Sequence, residues 1–190
     1  MKQTLIGVRE LSGARLTRRL FLRSAGMAVA GAWLAPDTLL AAPGERGLSF
    51  VHTHTAEALS LTYADPVGYL PSALERVNQF LRDFRTEEVH PIDPALLDLL
   101  HAVVATTGTS EPFHVISGYR SPRTNAMLRT RSESVAKASL HMQGRAIDVR
   151  LPDVRLSRLR AAAVDLRLGG VGYYPGSDFV HVDTGRVRTW

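Results

Sequence analysis

The stretch Ser139-Leu140-His141-Met142-Gln143-Gly144-Arg145-Ala146-Ile147-Asp148-Val149 decides how this chain is read. Gly144 permits a tight turn, because a residue without a Cβ enters left-handed backbone at little cost. Arg145 to Leu151 then alternates as a strand does. His141 therefore precedes a turn, and Asp148 stands on the strand that returns from it. An imidazole and a carboxylate brought together in this way make two thirds of a catalytic zinc site, which takes three protein ligands and keeps one position open.

Working toward the C-terminus, Gly169-Gly170-Val171-Gly172-Tyr173-Tyr174-Pro175 reads as a strand ending in a turn. Asp178-Phe179-Val180-His181-Val182-Asp183-Thr184-Gly185 reads as a second strand whose alternation sets His181 and Asp183 on one face. With this hairpin beside the Asp148 strand, His181 completes a His2Asp set, and Asp183 or Asp178 is left as an acid or base near the metal.

Working toward the N-terminus, Phe113-His114-Val115-Ile116-Ser117-Gly118 is a strand that stops at a glycine. Tyr119-Arg120-Ser121-Pro122 follows as a turn into a short helix around Asn125 to Leu128. Arg120 thus leaves the mouth of a buried strand, where a guanidinium can hold a carboxylate or a developing oxyanion by charge-assisted hydrogen bonds. A structural salt bridge is the alternative reading of the same arginine.

Helical periodicity marks Pro71 to Arg85, with Leu74, Val77, Leu81 and Phe84 on one side. A second helix opens with Asp93 as cap and Pro94 at the first helical position, repeats Leu96, Leu97, Leu100, Val103 and Val104, and ends at Gly108. A third spans Val154 to Leu168. Ser49 to Thr55 alternates as a strand, with Leu59 to Tyr63 as its partner. His52 and His54 share a face there, but only Glu57 is near in sequence, and they read as polar strand positions. The expected class is α+β: an antiparallel sheet with helices packed on one face and the metal in a groove on the sheet.

At 190 residues the chain supports one compact domain. Its net charge of +5 belongs mostly to residues 1–42, where Lys2, Arg9, Arg15, Arg18, Arg19 and Arg23 face only Glu10 and Asp37. The remainder gives no electrostatic reason to expect nucleic acid. Thr17-Arg18-Arg19-Leu20-Phe21-Leu22-Arg23 resembles a twin-arginine export motif, and the apolar run Ser24 to Ala35 is too short for a comfortable membrane span. The reading is an export signal over 1–42 and one folded domain over 43–190 that carries the candidate metal site, with no stable membrane span unless the signal is retained as an anchor. There is no cysteine, so disulfides and thiolate ligands are both excluded, and a metal must be held by His, Asp or Glu.

Three separated motifs carry a resemblance. Ser117-Gly118-Tyr119-Arg120-Ser121-Pro122 with Asn125, the block from Ser139 to Asp148, and the run from Gly170 through His181-Val182-Asp183 to Gly185 resemble the family around murein endopeptidase K. That family is related to the zinc D-Ala-D-Ala carboxypeptidases and dipeptidases and to the zinc-bearing domain of hedgehog proteins. The resemblance runs from about Leu48 to Trp190 and includes Leu81-Arg82-Asp83-Phe84-Arg85.

It implies Zn2+ held by His141, Asp148 and His181, with Arg120 against the scissile carbonyl oxygen or a substrate carboxylate. Asp178 occupies the offset, three before the last ligand, where dipeptidase relatives carry a glutamate. Phe179 stands where others carry a histidine. Asp183 belongs to this subfamily's own pattern and is read as functional, with Asp178 as the alternative base. The implied substrate is the peptide part of peptidoglycan, cut more as an endopeptidase than as a carboxypeptidase, in the periplasm or cell envelope. The alternative is a non-catalytic zinc-containing module of the same fold that binds the wall or signals.

Overall fold

The computed structural model describes residues 44–132 and 135–190. The expected export segment, residues 1–42, lies outside them. Among the described residues seven strands and four α-helices follow one another as β1 (Arg46–His52), β2 (Ala58–Ala64), α1 (Pro71–Phe80), α2 (Pro94–Thr107), β3 (Phe113–Ser117), α3 (Pro122–Arg129), β4 (Ala146–Arg150), α4 (Leu156–Leu166), β5 (Gly170–Tyr174), β6 (Phe179–Asp183) and β7 (Arg188–Thr189). The strands form one sheet in the order β2-β1-β3-β4-β6-β5-β7.

Four of the six pairings are antiparallel, but β1 runs parallel to β3 and β5 parallel to β7. The sheet is therefore mostly antiparallel, as expected, with two parallel pairings that the expectation did not include. The cause is connectivity: α1 and α2 fill the chain between β2 and β3, and that long crossover returns β3 alongside β1 in the same direction.

The second predicted helix forms as read. Asp93 accepts the Ala95 N–H at 3.0 Å, Pro94 opens the first turn, and Gly108 closes it in left-handed backbone at φ 71°. Leu96, Leu97 and Leu100 are wholly buried. Burial of each such side chain contributes about 1.5–3 kcal/mol. The first helix is shorter than its periodicity suggests, because it stops at Phe80 and the chain turns. Leu81 and Asp83 are still buried, but in that turn, whose Asp83 and Glu88 form an isolated bridge.

Alternation along the central strands sorts the side chains by face. On β4, Ile147 and Val149 join the hydrophobic core, as do Val180 and Val182 on β6. Asp148 and His181 lie between them in sequence and are register partners, so both point to the other face. Among the described residues no helix is long and apolar enough to cross a membrane.

Candidate metal centre

His141 reaches this face from a short 3-10 turn, Leu140–Gln143. Ser139 caps the turn, and Gly144 ends it at φ 64°. A Cβ at Gly144 would stand 2.1 Å from the Pro91 carbonyl oxygen, so only glycine lets the turn seat against the 91–93 segment. There the Asp93 N–H donates to the Gly144 carbonyl at 2.9 Å.

The three sequence-predicted ligands come together. His141 Nε2 lies 3.2 Å from His181 Nδ1 and 3.3 Å from Asp148 Oδ1, and His181 Nδ1 lies 2.9 Å from Asp148 Oδ1. A tetrahedral zinc with bonds of about 2.0–2.1 Å sets its ligand atoms roughly 3.3 Å apart, so the triangle has the size the ion needs. Two nitrogens and one carboxylate oxygen are also a donor set zinc accepts. The residues fit the ion.

Each imidazole is turned by the partner behind it. His141 Nδ1–H donates to the Gly118 carbonyl at 2.7 Å, which leaves Nε2 facing inward. His181 Nε2–H donates to Asp183 Oδ2 at 3.0 Å, which leaves Nδ1 facing inward. Such outer partners fix tautomer and ring orientation.

Asp183 is fully buried. Its Oδ2 also takes Arg188 Nη2–H at 2.8 Å, and its Oδ1 takes N–H groups of Gly170, Gly185 and Arg188 at 3.1, 2.8 and 3.1 Å. The structure thus places Asp183 behind the His181 ring, with both oxygens occupied. Asp178 is not brought to the group. It ends the β5–β6 connection in left-handed backbone at φ 54° and pairs with Arg150 at 2.7 Å beside a separate cavity.

Arg120 does reach the group. Its guanidinium is mostly buried, with Nη2 3.5 Å from Asp148 Oδ2, and its buried Nε–H has no acceptor among the described residues. Burial presses its pKa down, and Asp148 offsets part of that. A groove of about 350 Å³ opens over the ligands and Arg120, walled on one side by Tyr174, Phe179 and Trp190. Trp190 lies against Gly172, where a Cβ would come within 2.8 Å of its ring, and its indole N–H donates to the Tyr174 hydroxyl at 2.8 Å. His52 and His54 stay apart from the group and pack against Phe84.

The sequence reading passed over Arg188, Trp190 and the Gly118 carbonyl. The conformation of a backbone carbonyl leaves no mark in residue type. Arg188 has a faint one: an arginine a few residues beyond a buried aspartate, across a glycine turn.

The three groups are shifted in different directions by burial and by one another. Burial pushes the His141 pKa down and keeps that ring neutral. Burial also presses on His181, but hydrogen bonds to Asp148 and Asp183 outweigh it and hold the imidazolium up to about 9. Burial pushes Asp148 up, and His141 and His181 outweigh that, leaving it below the usual carboxylate range.

A raised histidine stabilises the fold fully below its unfolded value near 6.5 and loses that contribution as pH climbs through about 9. The metal-free protein should therefore melt at progressively lower temperature over that window. A zinc ion bound there would displace the His181 proton, so zinc affinity should rise about tenfold per pH unit up to roughly pH 9 and then level off. Calorimetric zinc titrations at pH 7, 8 and 9 check the slope.

Fold and donor set define a mixed α/β protein with a candidate three-ligand metal centre under an open groove. Residues 40–190 match the family described as peptidoglycan L,D-endopeptidase MepK. The chain is 42% identical over 175 residues to peptidoglycan L,D-endopeptidase MepK of Escherichia coli K12, spanning 91% of this chain and 96% of that one. It is 42% identical over 177 residues to the probable peptidoglycan L,D-endopeptidase MepK of Haemophilus influenzae, spanning 91% and 95%. The chain belongs to the MepK family. Among solved structures, the Serratia marcescens L-Ala D-Glu endopeptidase ChiX aligns over 50% of this chain and 68% of its own, with 17% identity and a TM-score of 0.34.

Proposed function

We propose that the protein is an exported zinc metallopeptidase that hydrolyses peptide bonds in peptidoglycan stem peptides or their cross-links. The observation that carries this is the triangle of His141 Nε2, His181 Nδ1 and Asp148 Oδ1, sized for one ion, in a groove that Arg120 also lines, its Nη2 3.5 Å from Asp148 Oδ2. The relatives named for peptidoglycan L,D-endopeptidase activity supply the substrate class. The paired arginines before an apolar run support the twin-arginine route and a periplasmic or envelope location.

His141, Asp148 and His181 would hold the metal, with Gly118 and Asp183 keeping the two rings turned. Bound there, zinc supplies a Lewis acid that polarises the scissile carbonyl and acidifies water. Arg120 donates to the carbonyl oxygen as it gains negative charge, a contribution that grows toward the transition state. The groove wall of Tyr174, Phe179 and Trp190 shields that exchange from bulk water. We assign Asp183 to orienting His181, because no lone pair of it faces the groove.

One observation favours the second reading, a wall-binding or signalling module that keeps zinc without hydrolysis. Among the described residues lining the groove, the only carboxylate is Asp148, itself a ligand. The two separate on isolated sacculi. The zinc-loaded protein should release new amine ends, a chelator should stop the release, zinc should restore it, and His181→Ala should lack it. Tight binding that leaves the sacculi uncut would establish the module instead.

A further inference from the structure

The turn after α1 carries two arginines, and they differ. Arg82 is met by Glu57 at 2.9 Å and Glu87 at 2.6 Å. Arg85 is exposed, and among the described residues no carboxylate pairs with it. Its guanidinium lies 4.1 Å from the centre of the Phe84 ring, which in turn stacks on His54 at 4.3 Å and 14°. A guanidinium laid on an aromatic face keeps its in-plane N–H fork free for a planar anion.

The turn is tied to the segment that carries Arg120. Asp83 is 1% exposed and works as a clamp between them: its Oδ1 takes the Arg85 backbone N–H at 3.0 Å, and its Oδ2 takes that of Ser121 at 2.8 Å. The Tyr119 N–H donates to the Leu81 carbonyl at 2.8 Å. Gly118 makes that approach possible, since a Cβ there would come within 2.6 Å of the same carbonyl oxygen. Asp83 thus ties the Arg85 backbone to that of Ser121, the residue after Arg120. Arg85 lies outside the lining of the groove, so a ligand that meets both arginines must extend over its rim.

We propose that Arg85 receives a second carboxylate of the peptide substrate, carried on an acidic residue next to the scissile bond, while Arg120 serves the reacting carbonyl. The assignment rests on the peptidase reading above. It makes the protein selective for wall peptides whose side-chain carboxylates are free, and a poor catalyst where they are amidated.

Two synthetic stem peptides that differ only in that carboxylate, free acid in one and primary amide in the other, test it with zinc-loaded protein. Wild type should favour the free acid by ~10–100-fold in kcat/KM, mostly through KM. Arg85→Gln should bring the ratio toward one, and Arg85→Lys should recover part of it. Equal rates in wild type, or a preference that survives Arg85→Gln, would overturn the assignment and leave the peptidase reading intact. If neither peptide is cut, that reading fails, and the calorimetric affinities of both peptides for wild-type and Arg85→Gln protein decide Arg85 by the same ratio.

Discussion

Replacing Asp183 by alanine is expected to weaken zinc binding about 10–100-fold and to cost the metal-free fold about 3–5 kcal/mol. Both effects come from one carboxylate. Burial pushes its pKa up, but the bonds from His181, Arg188 and the Gly185 N–H outweigh burial and hold it below the ordinary carboxylate range. Without it, the Arg188 guanidinium loses its partner, the Gly170 and Gly185 N–H groups lose theirs, and the His181 ring is free to turn away. Zinc competition against a fluorescent chelator reads the first effect, and denaturant melts of the metal-free protein read the second. A variant with unchanged zinc affinity and stability but a collapsed kcat would make Asp183 a proton acceptor and sink the orienting role.

Arg120→Gln should leave zinc affinity nearly as it is and lower kcat by about 10²–10³-fold, the usual cost of removing one donor to a developing oxyanion. The reasoning is geometric. Arg120 approaches the ligand group from the strand mouth, its contact with Asp148 is long at 3.5 Å, and its contact with the Ser117 hydroxyl is 3.4 Å, so the protein does not use its full donor capacity. A donor so placed gains most when negative charge appears in front of it. Steady-state kinetics on a defined wall peptide separate the cases: a rise in KM alone would mean that Arg120 holds a ground-state carboxylate.

That Asp148 and His181 share a face was legible because side-chain period in a strand is a strict rule. Once Asp148 and His181 are placed on paired strands with apolar neighbours on both sides, they have only one face available. His141 was legible for a different reason, since the glycine three residues later marks where the chain reverses. What alternation cannot convey is where an imidazole points beyond its Cβ. It put His181 and Asp183 on one face, and that is equally compatible with a base in the groove and a brace behind the ring. In the structure Arg188 and the amides of Gly170 and Gly185 enclose the carboxylate from other segments, and alternation carries no trace of them.

Asp178 shows the converse. Its sequence offset was suggestive, but a left-handed backbone at the end of a tight connection carries its side chain to Arg150. The mixed sheet was hidden as well, because the pairing of β1 with β3 joins segments about sixty residues apart and leaves no local periodic trace.

The braced triangle has one more implication. Since the Gly118 carbonyl and Asp183 already hold both rings turned inward, a cation bound there would find its three donors in place. On the proposed reading, a cell short of zinc would then carry a stock of folded but idle protein, ready to act when supply returns and without any new synthesis.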